Sequence, residues 1–161
     1  WYNRGLAFWE LKQYNEAIAS FDKTLQFKPD DPDTLYHRGL ALKELKRYEV
    51  AYSTFNQLVE LQPENEKAWF QRGMTQGKLK RYEEAIASFD KALEINPKDR
   101  EAWVNRGVIL GTLEQSEAAF KSFDKAVEIE PDHAVTWINR GLALGVLKRY
   151  EEARASFERA I

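Results

Sequence analysis

Apolar and polar residues alternate along this chain with the period of an α-helix. In residues 82–97, YEEAIASFDKALEINP, the apolar positions recur at helical spacing: Ala85, Ile86, Phe89, Ala92 and Leu93. Glu83 and Glu84 lie in the first turn, where negative charge complements the helix dipole, and Pro97 prevents the helix from continuing. The stretch therefore predicts an amphipathic helix with one apolar face.

This helix is one copy of a pattern that recurs at intervals of 34 residues. The recurring positions are phenylalanine (Phe21, Phe55, Phe89, Phe123 and Phe157), alanine (Ala17, Ala51, Ala85, Ala119 and Ala153) and proline (Pro29, Pro63, Pro97 and Pro131). A fixed period of this length is typical of an array of one supersecondary unit. We therefore predict a single repeat segment over residues 1–161, with units at 1–31, 32–65, 66–99, 100–133 and 134–161, the first and last incomplete.

Each period holds two predicted helices. The first helices are predicted at 1–12, 33–45, 67–79, 101–113 and 135–147, and the second helices at 14–27, 48–61, 82–95, 116–129 and 150–161. A turn as short as Lys46-Arg47 leaves only an antiparallel hairpin as a connection. The links between pairs are equally short, and residues 29–32, Pro-Asp-Asp-Pro, offer an Asp cap and a proline at the first helical position.

A glycine recurs inside every first helix, where it costs about 1 kcal/mol relative to alanine. These residues are Gly5, Gly39, Gly73, Gly107 and Gly141. Such a cost is accepted where two helices approach closely, and we expect the recurring alanine of the second helix to be the partner. Large residues one turn earlier are expected to be wedges in the core: Trp1, Leu35, Trp69, Trp103 and Trp137.

The whole chain resembles the tetratricopeptide repeat, and the third unit carries nearly every signature residue: Trp69, Gly73, Tyr82, Ala85, Phe89, Ala92 and Pro97. The resemblance implies an all-α, right-handed superhelical α-solenoid of antiparallel helix hairpins. The amino-acid sequence of the repeats resembles that of long bacterial TPR arrays. Departures are local: Leu35 and Leu58 replace the usual Trp and Ala, and Ser116 replaces the tyrosine of the hairpin turn. Because Ser116 gives up an aromatic ring and Gly111 lies in the preceding helix, we expect the fourth unit to be the softest internal segment.

Composition narrows the class of protein. Hydrophobic residues make up 43% of the chain and charged residues 31%, which is typical of a folded protein rather than a disordered one. The net charge of −2 and the pI near 5.8 give no general attraction to nucleic acid or to an anionic membrane. We therefore expect neither partner, and we expect a cytoplasmic location. The chain opens at Trp1 and stops at Ile161, each inside a repeat, so we expect a segment of a longer protein.

No pattern of catalytic or metal-binding residues emerges. The two histidines, His37 and His133, lie in distant units, no cysteine is present, and every glycine belongs to the repeat register rather than to a phosphate loop. Ser20, Ser88 and Ser156 recur on what we expect to be the outer helix face, without a partnered histidine. The sequence therefore predicts that this chain is not an enzyme and holds no cofactor and no metal.

Two sets of basic residues recur. One is an arginine directly before the glycine: Arg4, Arg38, Arg72, Arg106 and Arg140. These residues would suit an acidic partner, but we favour a structural role, in which each stem packs along the hairpin and each guanidinium meets an acid, among them Asp22, Asp90, Asp124 or Glu158. The Lys-Arg turns at 46–47, 80–81 and 148–149 are followed by glutamates, which favours a solvated, locally neutral edge.

A polar slot lies two residues before each glycine. It holds Asn3, His37, Gln71, Asn105 and Asn139. The resemblance implies that this slot faces a concave groove, where in some family members asparagines hydrogen-bond an extended peptide. An amide suits that role because it both donates and accepts. The alternative interpretation is that these side chains bond to neighbouring helices and hold the pitch of the superhelix.

By the same resemblance, apolar residues flank the polar slot. The candidate peptide-binding positions among them are Tyr2, Tyr36, Phe70, Leu40 and Met74, and the same slots continue with Val104, Ile138, Leu6, Val108 and Leu142. A further slot holds Trp9, Lys43, Gly77, Gly111 and Gly145, so the groove floor becomes nearly bare toward the C-terminus. The basic and amide residues that grip acidic tails of heat-shock chaperones are mostly replaced, by Tyr2, Leu6 and Gln71, although Lys67 matches one of them. The chaperone role is therefore disfavoured.

The sequence predicts a protein–protein interaction module that holds a peptide or partner segment in its concave groove, in a scaffold or adaptor role. Two alternatives remain: a sensor or substrate-recruiting arm of a larger enzyme, and a self-assembly scaffold. For the last we expect head-to-tail association through apolar ends, formed by Trp1, Phe8 and Trp9 at one end and by Phe157 and Ile161 at the other.

Overall fold

Short polar turns divide the chain into ten α-helices in the computed structural model, which describes residues 1–161. The helices are α1 (Tyr2–Glu10), α2 (Tyr14–Phe27), α3 (Pro32–Glu44), α4 (Tyr48–Leu61), α5 (Glu66–Lys78), α6 (Tyr82–Ile95), α7 (Arg100–Thr112), α8 (Ser116–Ile129), α9 (Ala134–Val146) and α10 (Tyr150–Arg159). Helices α2, α4, α6 and α8 begin and end at the predicted residues, whereas α3, α5, α7 and α9 each lie one residue earlier than predicted. None of the ten combines the length and the apolar character that crossing a lipid bilayer requires.

Side-chain caps account for this one-residue shift in α3, α5 and α7. The carboxylate of Asp31 accepts a hydrogen bond from the backbone N–H of Thr34 at 3.0 Å, so α3 begins at Pro32. Asn65 and Asp99 cap α5 and α7 in the same way. Proline fits the first helical position because the N–H that it lacks would have no partner there. The predicted Asp cap and N-terminal proline are confirmed.

Every first helix ends in the same tight turn, which the sequence pattern did not reveal. The turn contains one residue with left-handed backbone, and φ is 57° at Lys46. The N–H of Arg47 then donates to the carbonyl of Leu42 at 2.9 Å, which satisfies a carbonyl that the helix end leaves free. The other turns place Lys12, Lys80, Glu114 and Lys148 in the same conformation. The chain reverses within these few residues, which places the next helix antiparallel to the one before it.

Helices α1 to α5 form the N-terminal unit, Trp1–Arg81. Successive helices of this unit pack against each other, and α3 also contacts α1 and α5. The core lies between α3 and α4, where Leu35, Leu42, Phe55 and Leu58 are buried almost completely. Leu35 therefore occupies the core position expected for the large residue before the glycine.

Helices α6 to α10 form the C-terminal unit, Tyr82–Ile161. Its successive helices also pack against each other, and α7 contacts α9. Phe120 and Phe123 of α8 meet Leu110 of α7 and Leu144 of α9 in the core. In both units the fully buried phenylalanine rings come from the second helices.

The helical glycines accommodate phenylalanine rings, and the expectation that alanine is their partner was wrong. A Cβ added to Gly107 would lie 2.7 Å from Cε1 of Phe123. The other glycines of this kind face the ring in the same repeat: Gly5 faces Phe21, Gly39 faces Phe55 and Gly141 faces Phe157. The ring extends further from its backbone than the alanine methyl group, so it reaches the facing helix first. Glycine is needed here because the ring lies where a Cβ would be.

Candidate functional site

Three of the recurring arginines make ion pairs and hydrogen bonds with side chains of other helices. Arg38 donates from Nε to Asp22 at 2.6 Å and from Nη1 to the hydroxyl of Thr54 at 2.6 Å. Two more repeat this pattern: Arg106 with Asp90 and Ser122, and Arg140 with Asp124 and Ser156. The structural interpretation is therefore confirmed for these three. Glu158 is not one of the partners, because it pairs with Arg154 at 3.4 Å.

Arg72, in the N-terminal unit, has no such acidic partner. Asn56 stands at the slot that holds Asp22, Asp90 and Asp124 in three other repeats, and its amide donates to Glu60 at 2.7 Å. The Nε of Arg72 is left buried without a hydrogen-bond partner. Its guanidinium lies over the rings of Trp69 and Tyr52, at 5.0 and 5.7 Å from their centroids, and such cation–π contacts offset part of the loss. This junction is chemically weaker than its counterparts.

The recurring serines are buried, which corrects the expectation that Ser20, Ser88 and Ser156 lie on an outer face. The hydroxyl of Ser20 donates to the carbonyl of Glu16 at 2.9 Å, one turn back in its own helix. Ser156 makes the equivalent bond to Glu152 at 2.8 Å. A hydroxyl bonded in this way can be buried without the cost of an unpaired polar group. These serines are structural.

In the N-terminal unit, the first two residues of the polar slot differ in their surroundings. Nδ1 of His37 lies 2.8 Å from the carbonyl oxygen of Asp33 and 3.2 Å from the hydroxyl of Tyr2. The rings of Tyr2 and Tyr36 stand edge-on to the imidazole, with centroids 5.8 and 5.6 Å away. Asn3 is exposed and makes no hydrogen bond within the chain. The structure thus joins three predicted site residues into one aromatic cluster and leaves Asn3 outside it.

The third residue of this slot, Gln71, is also engaged. Its side-chain oxygen accepts a hydrogen bond from the ammonium group of Lys43. Burial lowers the pKa of Lys43, and Lys78 acts in the same direction while Glu44 opposes both. Burial likewise raises the pKa of Tyr36. The three remaining predicted positions, Leu40, Phe70 and Met74, are half-buried.

In the C-terminal unit, the two asparagines of the polar slot behave differently from each other. Asn105 donates to the carbonyl of Glu101 in its own helix at 2.8 Å. Asn139 is half-buried and makes no hydrogen bond within the chain. Beside it, α9 exposes Ile138 by 41%, Leu142 by 57% and Val146 by 71%. An amide with unused hydrogen-bonding capacity therefore lies within an apolar surface.

Helix α9 is apolar on two faces. Its inner face buries Ala143 and Leu144, and its outer face exposes the side chains just described together with Val135. The slots of Val135 and Val146 carry polar or charged residues in the other repeats: Asp33, Lys67 and Glu101 for the former, and Glu10, Glu44, Lys78 and Thr112 for the latter. An apolar helix face is normally covered, and a contiguous exposed apolar patch marks an interaction surface.

A depression of about 370 Å³ adjoins this face. Its lining is Gly107, Val108, Gly111, Thr112, Ser116, Ala119, Phe123, Asn139, Leu142, Ala143 and Val146, none of which is charged. Gly111 and Gly145 differ from the glycines that face phenylalanine, because a Cβ on either would meet nothing within 4 Å. The bare floor predicted for this end of the chain is therefore open space.

Comparison with known proteins places these repeats. Family models described as tetratricopeptide repeat match residues 32–65, 66–99, 101–133 and 122–155, and a model described as TPR repeat matches residues 5–46. The chain belongs to the tetratricopeptide-repeat (TPR) family. No curated protein sequence matches it.

Solved structures agree with this assignment. A crystal structure of MamA is 20% identical, with a TM-score of 0.94 over 97% of this chain and 91% of that chain. MamA 41-end from Desulfovibrio magneticus RS-1 is 23% identical, with a TM-score of 0.92 over 98% and 89% of the two chains. YrrB is also 23% identical, with a TM-score of 0.86 over 99% and 82%. The predicted fold class, an all-α solenoid of antiparallel TPR hairpins, is confirmed.

The resemblance to the TPR pattern identified recurring positions for a binding surface, but it did not include several residues of the exposed surface around α9. Val135, Val146, Thr112 and Ser116 were not among the predicted site residues. A comparison of the repeats with one another contains the signal for the two valines, because only the fifth repeat places valine at those slots. Ser116 stood out in the sequence only as the replacement for the turn tyrosine, and the place of Thr112 and Ser116 at this surface became visible through the depression that they line.

Proposed function

We propose that this TPR chain is a protein–protein interaction module that binds a peptide or partner segment along the exposed face of its first helices. The observation that carries the proposal is α9, which exposes Ile138, Leu142 and Val146 beside the unpartnered amide of Asn139. Burial of the apolar side chains supplies affinity, and the amide pairs with one peptide unit of the ligand. YrrB, which has this fold, is described as a TPR protein with an unusual peptide-binding site, and this supports a peptide as the class of ligand.

The proposed binding positions are the polar slot and its apolar flanks. They are Asn3, His37, Gln71, Tyr2, Tyr36, Phe70, Leu40 and Met74 in the N-terminal unit, and Asn105 and Asn139 in the C-terminal unit. These positions have two different roles. His37 and Gln71 already have partners within the chain, so we assign them the role of holding neighbouring side chains in place. Asn3 and Asn139 are the amides that we assign to the ligand. The role is that of a scaffold or adaptor, with a protein as the partner.

A peptide selection tests this proposal. A phage-displayed library of short random peptides is selected on the chain, and the affinity of the recovered peptides is measured by fluorescence anisotropy. Ile138→Asp should weaken binding at least about tenfold. The substitution removes an apolar contact worth about 1.5–3 kcal/mol and puts a charged group in its place. Val50→Asp is the matched control, since Val50 is exposed to a similar degree, 46%, on the second helix α4.

The control variant should bind like the wild type. Recovery of no peptide would contradict the proposal. Equal affinity of the recovered peptides for the wild type and Ile138→Asp would contradict it too, because binding would then not involve the exposed face of α9.

A further inference from the structure

The depression in the C-terminal unit corresponds to a pair of aromatic rings that the fourth repeat lacks. In the first repeat, the rings of Trp9 and Tyr14 pack against each other with centroids 5.1 Å apart. The fourth repeat has Gly111 and Ser116 at the same two slots. Both residues line the depression, so its open space corresponds to the place that the aromatic pair takes in the first repeat.

Packing within the chain does not account for Gly111. A Cβ on Gly107 would lie 2.7 Å from the Phe123 ring, so the fold requires glycine there. One turn later, a Cβ on Gly111 would meet nothing within 4 Å. Glycine weakens a helix relative to alanine, so this residue lowers stability without any internal contact in return. The space beside Gly111 is therefore open to a group from outside the chain.

The chemistry of the depression favours an aromatic side chain as its occupant. Val108, Leu142 and Val146 provide apolar walls, and no charged residue contributes to the lining. Its volume of about 370 Å³ is near the lower end of the roughly 300–1,000 Å³ of ligand pockets, which suits one large side chain better than a cofactor. The ring of Phe123 in the lining offers an aromatic contact of the kind that Trp9 gives Tyr14.

We propose that this depression receives an aromatic side chain of the bound partner segment, and that it thereby sets the sequence preference of the module. The inference rests on the proposed function and adds the class of residue that the partner must carry. The amide of Asn139, also in the lining, is placed to pair with the backbone beside that side chain.

The test refills the depression with the residue found at the same slot in the other four repeats. Ser116→Tyr should weaken binding of the library-selected peptides at least about tenfold, because the new ring occupies the site of the peptide's ring. Ser53→Tyr makes the same substitution at an exposed position of α4 and should leave the affinity unchanged. The melting temperature of Ser116→Tyr should be equal to or above that of the wild type, which separates loss of binding from loss of folding.

The selected peptides themselves provide the second readout. One position should be enriched in Phe, Tyr or Trp, and its replacement by alanine should weaken binding to the wild type but scarcely to Ser116→Tyr, because the ring has no site left in that variant.

Each alternative outcome has a distinct meaning. Peptides that are sensitive to Ile138→Asp but carry no required aromatic residue, and bind Ser116→Tyr normally, would overturn this inference and leave the proposed function standing. Peptides insensitive to Ile138→Asp would overturn both. If Ser116→Tyr abolished self-association in sedimentation while peptides still bound, the occupant would be a second copy of this chain. If it abolished binding of free indole while peptides still bound, the occupant would be a small aromatic molecule. Either result would show that the inference is wrong.

Discussion

Two glycines that lie one turn apart in α7 should respond to alanine in opposite ways. A Cβ on Gly107 would lie 2.7 Å from Cε1 and 2.8 Å from Cζ of Phe123. The ring is only 5% exposed, so it has no solvent to move into. A Cβ on Gly111 would meet nothing within 4 Å. The same substitution in the same helix therefore creates a clash at one position and none at the other.

The expected change in the free energy of unfolding is the balance of two opposing contributions, helix propensity and steric overlap. Replacing glycine by alanine gains about 1 kcal/mol of helix propensity in a helix interior, and at most that at Gly111, which lies in the last turn. Overpacking typically costs about 1–3 kcal/mol, and an approach well inside the optimum of about 3.5–4.0 Å between carbons falls in the upper part of that range. Gly107→Ala should therefore destabilise the protein by about 1–2 kcal/mol. Gly111→Ala should be neutral or stabilise it by up to about 1 kcal/mol.

Urea unfolding followed by circular dichroism measures both variants against the wild type, and thermal melts provide a second readout at about 2–4 °C per kcal/mol. A double-mutant cycle with Phe123→Leu is the control, because the cost of Gly107→Ala should fall when the ring is absent. If Gly107→Ala were as stable as Gly111→Ala, the ring would not be held against α7 and the explanation of the recurring glycines would fail.

Three further predictions concern stability and dynamics. Asn56→Asp should stabilise the protein by about 1 kcal/mol in urea unfolding, because it restores the carboxylate that the buried Nε of Arg72 lacks; an unchanged midpoint would contradict this pairing. Lys43→Met should raise the free energy of unfolding at neutral pH, and this gain in stability should shrink as the pH approaches 10.5. The reason is that burial lowers the pKa of Lys43, so the folded wild type loses this proton at a lower pH than the unfolded chain does. A stability difference that does not change with pH would refute this prediction. Amide hydrogen exchange should be faster across residues 111–119 than across 77–85, because the fourth repeat lacks its aromatic ring at the turn; equal or slower exchange would show that the fourth repeat is not the softer segment.

The repeating pattern was sufficient to predict the fold. A helical apolar stripe that recurs at a fixed interval, with connections of three or four residues between helices, leaves stacked antiparallel hairpins as the way to bury each stripe. Bounds such as Tyr48–Leu61 were predicted to the residue because turn residues on both sides mark them. The start of α3 was one residue off because the position of a cap depends on where the side chain of Asp31 reaches, and composition does not specify that.

The partner of each glycine shows the limit of the pattern. Both Ala119 and Phe123 recur in register with Gly107, so the sequence offers two candidates for the close contact. The length of the side chain and the distance between the helices decided in favour of the ring. Such distances result from the packing of the whole core, and no local stretch of sequence encodes them.

The sequence by itself determined which residues share a slot, and the tertiary structure decided what each slot member is free to do. His37 and Asn139 occupy the same slot, yet only Asn139 lacks a partner within the chain. Hydrogen bonding and exposure depend on residues that are distant in the chain, as the contact between Lys43 and Gln71 illustrates. The depression beside Ser116 likewise arises from the spacing of helices, which only the folded chain defines.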